Sequence, residues 1–303
     1  MKHSKPRLVL DPKAEQILRA VYFYRFMGAL DVCTLLYSKG ALTRVRDTLA
    51  RLSGGADYVT REYLYRFQLP GEGNPERIYT LGSRGRDFLA NEIGLPVNWY
   101  FRPEQVKHFS HAHVVHSLLL TRVLVAAKKF SEESVAIALL DRRISYELWK
   151  DPPVVQIALD GQQQKVKVVP DAWLLFQRSD GRRASVLLEI DRGREYQAAF
   201  KAHVAGRIEF LASEQYRQAF GVRSVRIAYT TTGERPEYQE RRLQSMRQWT
   251  SQVLTEQRRQ NWADLFRFCS LSLDTVYQLP LFSGPVWKRI GSETPVGLLG
   301  PIP

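Results

Sequence analysis

Three carboxylates stand at strand-like positions where a buried strand would carry apolar side chains. They are Asp171 in Val168-Val-Pro-Asp-Ala-Trp-Leu-Leu-Phe, and Glu189 and Asp191 in Val186-Leu-Leu-Glu-Ile-Asp-Arg-Gly. Strand side chains alternate between faces, so Leu187, Glu189 and Asp191 share one face and Val186, Leu188 and Ile190 the other; Asp171 lies with Trp173 and Leu175. A hairpin through Ser179–Arg183 sets the two strands side by side and brings Asp171 close to Glu189, with Asp191 on the same side of an exposed cleft. Carboxylates packed this way repel unless a proton or a cation neutralises them. Mg²⁺ or Mn²⁺ binds through oxygen and needs only one or two protein carboxylates beside water and phosphate. Such an ion activates water and stabilises charge on a phosphodiester. The alternative is a network of ion pairs, with Arg192, Arg194 or Lys201 neutralising the acids inside an inert domain.

Cations form the second pattern. Over Ala41–Leu52, Leu42, Val45, Leu49 and Leu52 recur at helical spacing, while Arg44, Arg46 and Arg51 occupy the other face. An exposed arginine face suits contact with DNA phosphates, although a solvated surface gives the same pattern. Residues 192–259 hold 13 Lys and Arg against 7 Asp and Glu, which puts positive charge on the helices that follow the acid strands. Gly193-Arg-Glu195 opens one of those helices, and Arg194 and Lys201 lie about two turns apart on it. His108, His111, His113 and His116 cluster near the start of another helix; imidazoles at this spacing can bind zinc, cap a helix or line the cleft. Glu147 in Ser145-Tyr-Glu-Leu-Trp149 is either a further acid of the site or a surface glutamate. No Gly-Lys-Ser/Thr phosphate loop and no Gly-x-Ser-x-Gly elbow occur, which argues against an NTPase and a serine hydrolase.

The elements that must position these groups follow from punctuation and period. Asp11-Pro12 caps a first helix carrying Ile17, Leu18, Val21, Tyr22 and Phe26; a second covers Leu30–Tyr37 and ends at Gly40; Ala41–Leu52 is the third. Strand-prone runs at Tyr58–Leu69 and Arg77–Leu81 flank the turn-rich connector Pro70–Pro75, and Thr80–Ile93 closes as a helix. Helix, helix, helix, hairpin, helix is the order of a winged helix, whose third helix enters the major groove. Leu95–Pro103 reads as a linker and Pro103–Phe130 as a long helix. Strands are expected at Ile137–Leu140, Val154–Leu159, Lys165–Val169, Trp173–Phe176, Val186–Ile190 and Val225–Thr230, with helices at Glu195–Phe220 and Pro236–Arg259. Asp160-Gly161 and Asp180-Gly181 are hairpin turns.

Composition bounds the rest. The 303 residues carry 44 Lys and Arg against 31 Asp and Glu, a net charge of +13, and 44% are hydrophobic. That supports a sizeable core in two domains, excludes wholesale disorder, and favours an anionic partner, nucleic acid before membrane. No apolar run is long enough to span a bilayer, the start lacks a secretory h-region, and the two cysteines, Cys33 and Cys269, form no disulfide framework; a cytoplasmic location is expected.

Pro170-Asp171 followed by Glu189-x-Asp191, 18 positions on, resembles the PD-(D/E)xK nuclease superfamily. With the winged-helix order, the histidine-bearing helix at 111–116 and Glu-Ile-Asp-Arg-Gly, residues 10–260 are similar to the replication-relaxation family of plasmids and other mobile elements. The resemblance implies an α/β fold, α+β overall. A winged-helix DNA-binding domain at 10–95 precedes a mixed-sheet nuclease-like domain at 103–278, with an irregular tail at 279–303. It implies double-stranded DNA as partner, a second copy of the chain or replication and transfer proteins as further partners, and a part in plasmid replication, relaxation or transfer. In an active enzyme Asp171, Glu189 and Asp191 would hold Mg²⁺ or Mn²⁺, and Lys201, which matches the family's helical lysine, would support water or phosphate. One departure stands out: Asp191 occupies the position of the pattern's lysine, which favours a nuclease-like domain acting as a platform. A Mg²⁺-dependent nickase and a dimeric transcriptional regulator are the alternatives.

Overall fold

The computed structural model describes residues 10–38, 40–54, 63–69, 76–97, 108–148, 150–193, 195–232 and 235–300. Residues 58–62 of an expected strand, the connector 70–75, the linker and early helix at 98–107, and Arg194 lie outside that set. The chain is mixed α/β and divides into two compact units, Met1–Val125 and Ala126–Pro303. No helix among the described residues is long and apolar enough to cross a membrane.

In the first unit, α1 (Pro12–Tyr24) starts where Asp11 Oδ1 accepts the Ala14 N–H at 2.7 Å and Pro12 sets the first turn. It buries Ile17, Leu18 and Val21. A two-residue strand β1 (Met27–Gly28) leads into α2 (Ala29–Leu36) and α3 (Leu42–Leu52). Strands β2 (Leu64–Gln68) and β3 (Arg77–Leu81) complete an antiparallel sheet of order β1-β3-β2. The closing helix, expected from Thr80, starts later as α4 (Ser83–Asp87) and widens over Phe88–Glu92. Thr80 and Leu81 are held in the ladder opposite Tyr65 and Leu64.

The long helix α5 (His111–Glu133) carries the boundary between the units, at Val125/Ala126. Its Thr121 hydroxyl donates to the Tyr24 carbonyl at 2.7 Å. Arg122 donates to Asp31 at 3.0 Å and pairs with Glu76. Asp31 is fully buried and also accepts the Gly28 N–H at 2.6 Å. The first unit therefore runs on to Val125, beyond the expected limit of residue 95. Without Arg122 the buried Asp31 carboxylate would lose its counter-charge, a loss of about 3–5 kcal/mol.

The second unit is built on a seven-stranded mixed sheet. Its strands are β4 (Ile137–Ile144), which leads into the short α6 (Ser145–Leu148), then β7 (Ala172–Arg178), β8 (Arg183–Asp191), β9 (Val225–Thr231), β10 (Phe266–Ser270), β11 (Trp287–Arg289) and β12 (Ser292–Val296). The order is β12-β11-β10-β9-β8-β7-β4, with β8, β9 and β10 parallel and the remaining pairs antiparallel. A separate hairpin joins β5 (Val154–Leu159) to β6 (Gln162–Lys167) through Asp160 and Gly161, both at positive φ, as a two-residue hairpin turn requires. Helices α7 (Gln197–Ala212), α8 (Glu214–Phe220) and α9 (Pro236–Glu256) connect the parallel strands. They bury Phe200, Val204, Ile208, Leu243 and Met246 against Trp173, Leu187, Ile227 and Phe268 on one face of the sheet. Each such side chain contributes about 1.5–3 kcal/mol of apolar burial.

The segment after Gln278 is not irregular. It adds β11 and β12 to the sheet edge, joined by a turn with Gly291 at φ 70°. Trp287 anchors it, fully buried and donating its indole N–H to the Leu281 carbonyl at 2.7 Å.

Candidate functional site

The acid cluster forms on the helix-covered face. Ala172 pairs with Leu188 and Trp173 with Leu187, so Asp171, one residue before β7, falls opposite Glu189. The Asp171 N–H donates to the Leu188 carbonyl at 3.1 Å, and the Ile190 N–H donates to Asp171 Oδ2 at 2.7 Å. Asp191 follows on the same face at the end of β8, beside Thr231 of β9. The structure thus brings Asp171 and Glu189 together, but beneath α7 and α9 and not in an exposed cleft. The Glu189 and Asp191 side chains are only 13% and 6% exposed.

Two arginines, Arg207 buried and Arg242 partly buried, neutralise the pair on β8. Arg207 of α7 directs Nε and Nη2 at Glu189 Oε1, at 2.7 and 2.6 Å, and Nη2 also donates to the Val169 carbonyl at 3.2 Å. The neighbouring Gly206 allows that approach: a Cβ there would lie 3.0 Å from Val166 Cγ1, so α7 can press onto the β5–β6 hairpin and deliver Arg207 beneath it. Arg242 of α9 grips Asp191 as a fork, Nε to Oδ2 at 2.7 Å and Nη2 to Oδ1 at 2.9 Å. The Gly193 N–H adds a third bond at 3.0 Å, and the Arg242 guanidinium lies 5.0 Å from the centre of the Trp249 ring.

Of the neutralising cations expected from sequence, Arg194 lies outside the described residues, and the other two are not the ones used. Arg192 is exposed, Lys201 is half-buried on α7, and neither makes an ion pair with a described residue. Arg207 and Arg242 lie 18 and 51 positions from their partners. The sequence signal for Arg207 is an arginine set in the apolar helical run Val204-Ala-Gly-Arg-Ile-Glu-Phe.

Among the described residues, no three His, Cys, Asp or Glu side chains converge to hold a metal ion. Both Asp191 oxygens are committed to Arg242, Glu189 Oε1 takes two N–H groups from Arg207, and Asp171 Oδ2 takes a backbone N–H. A three-carboxylate Mg²⁺ or Mn²⁺ centre does not fit that donor set, because Glu189 and Asp191 already carry arginine counter-charges.

Burial pushes the Glu189 carboxyl up to about 7; Asp171 pushes the same way and Arg207 opposes both. Tyr229, paired in register with Glu189, has its hydroxyl buried with no hydrogen-bond partner among the described residues, and burial raises its pKa. The Thr231 hydroxyl beside Asp191 is buried and unpartnered in the same way. These two residues escaped the sequence reading, although alternation along β9 sets both on the acid-bearing face.

The arginine face of α3 differs in every respect. Val45, Leu49 and Leu52 are buried, whereas Arg44, Arg46 and Arg51 are exposed and none makes an ion pair with a described residue. Among the histidines, His113 packs 4.4 Å from the Phe109 ring and 6.3 Å from Phe26, and His108 and His111 are exposed. Glu147 lies in α6, where its carboxylate accepts the Ile144 N–H at 2.9 Å and burial raises its pKa.

No protein-family model matches the chain, and no curated protein matches its sequence.

Proposed function

We propose that the protein binds double-stranded DNA through α3, and that its second unit is a nuclease-like platform without a working metal centre. The observation that carries the first half is the helical order α1, α2, α3 followed by the β2–β3 hairpin, with three exposed arginines on α3. That order supports reading the unit as a winged helix, a fold in which the third helix enters the major groove. The second half rests on the ion pairs Glu189–Arg207 and Asp191–Arg242. They perform the neutralisation that a cation would perform in an active site. The adjacency of Asp171 and Glu189 is the one feature an active nickase shares, and the arginines argue against that reading. The resemblance to replication-relaxation proteins extends the proposal to a role in plasmid replication, relaxation or transfer.

The test is duplex binding by the full chain as salt is raised. Each phosphate contact contributes about 0.9 to the slope of log affinity against log salt. Replacing Arg44, Arg46 and Arg51 with alanine should weaken binding and flatten the slope by roughly 3. Equal affinity and equal slope in the variant would remove α3 as the DNA-binding element.

A further inference from the structure

At the opposite end of the sheet from Asp191, and on its opposite face, three arginines share one carboxylate. Arg267 of β10 pairs in register with Ala228, two residues beyond Arg226 on β9, so Arg226 and Arg267 lie on one face. The antiparallel pairing of Phe268 with Lys288 sets Arg267 opposite Arg289 of β11. Asp264, in the turn before β10, is their shared acid: its oxygens lie 3.2 Å from Arg267 Nη2, 3.4 Å from Arg226 Nη2 and 3.7 Å from Arg289 Nη1.

That single acid does not satisfy the cluster. Charge-assisted N–H···O bonds run to about 2.7–2.9 Å, and all three of these contacts are longer. Three guanidiniums against one carboxylate leave two positive charges in excess. The Arg267 side chain is 5% exposed, which is costly for a cation without full compensation. Its Nη1 is occupied by the Asp264 and Phe266 carbonyls at 2.7 and 2.9 Å, but its Nε has no partner among the described residues, and neither has Arg289 Nε. Burial lowers the Arg267 pKa, and Arg226 and Arg289 add to that effect. Arg226 and Arg289 are 30% and 42% exposed, so part of the cluster is accessible to solvent.

We infer that Arg226, Arg267 and Arg289 form an oxyanion site that takes a phosphate group, held by guanidinium N–H groups where Asp264 now serves them poorly. A tetrahedral dianion matches the excess charge and offers several acceptors to planar donors arranged around it. The site is independent of α3 and stands whether or not the first unit binds DNA.

The experiment is thermal unfolding of the full chain in inorganic phosphate, against sodium chloride at equal ionic strength. Phosphate should raise the melting temperature saturably, above the chloride control. Replacing Arg226 and Arg289 together with glutamine should weaken phosphate binding by about tenfold or more. Asp264→Asn should strengthen it, because a competing carboxylate is removed while its shape is kept; this second variant decides the matter if the double variant does not fold. A phosphate effect no greater than chloride, or one unchanged by both variants, overturns the site. A short DNA duplex distinguishes the source of the phosphate. A salt slope reduced in the double variant by about 0.9 per arginine identifies the phosphodiester backbone, and an unchanged slope beside lost phosphate binding identifies a free or terminal phosphate.

Discussion

The arginines of α3 and those beneath the sheet of the second unit are the same chemical group in opposite circumstances. Arg44, Arg46 and Arg51 project from a helix whose other face is buried, and none is paired with a described residue. Arg207 and Arg242 are mostly buried, and each is bound to one acid of β8 at 2.6–2.7 Å. The first set can exchange counterions for a polyanion. The second is consumed in balancing charge that the fold has buried. Net charge of +13 does not separate these roles; accessibility and pairing do.

The largest effect is expected from Arg207→Ala. Above about pH 7, where Glu189 is ionised, it leaves that carboxylate buried without its counter-charge and should cost about 3–5 kcal/mol in urea unfolding. A loss below about 1 kcal/mol would mean that the pair behaves as a surface ion pair. Asp191→Asn comes next. It keeps the shape but removes the charge that Arg242 grips, and should cost about 1.5–3 kcal/mol. A further effect separates the acids by pH. Glu189 has a raised pKa in the folded state, so the folded chain binds its proton more tightly than the unfolded chain does. The stability it lends is complete below about 4.5 and lost as pH rises through about 7, with a slope of at most roughly 1.4 kcal/mol per pH unit. Unfolding of wild type and Glu189→Gln across that range should show the slope in wild type alone. The smallest stability change belongs to α3: alanine at Arg44, Arg46 or Arg51 should shift unfolding by no more than about 0.5 kcal/mol each. DNA affinity should fall all the same.

Local chemistry made much of this architecture legible. The cap of α1, the apolar spacing of α1 and α3, the Asp-Gly turns and the alternation of β7 and β8 are short-range signals, and they also put Asp171 opposite Glu189. What escaped were features that depend on distant partners. Phe266–Ser270 is a strand because β9 and β11 flank it, and Trp287 orders a Pro- and Gly-rich tail because a pocket receives it. The limit of the first unit depends on Arg122 meeting Asp31, 91 positions away. The arginines that neutralise the site come from helices 18 and 51 positions beyond their acids. Spacing alone could nominate only Arg192, Arg194 and Lys201.

On the proposed reading, protein cations and not a metal balance Glu189 and Asp191. Calorimetric unfolding of the full chain in millimolar Mn²⁺ and in chelator tests it most directly. The melting temperature should be the same in both, and the change in stability of an Asp171→Asn variant should be the same with and without metal. A saturable rise with Mn²⁺ would contradict it. That rise would be worth about 2.7 kcal/mol at 100 times the dissociation constant, and its loss in Asp171→Asn would assign it to these acids.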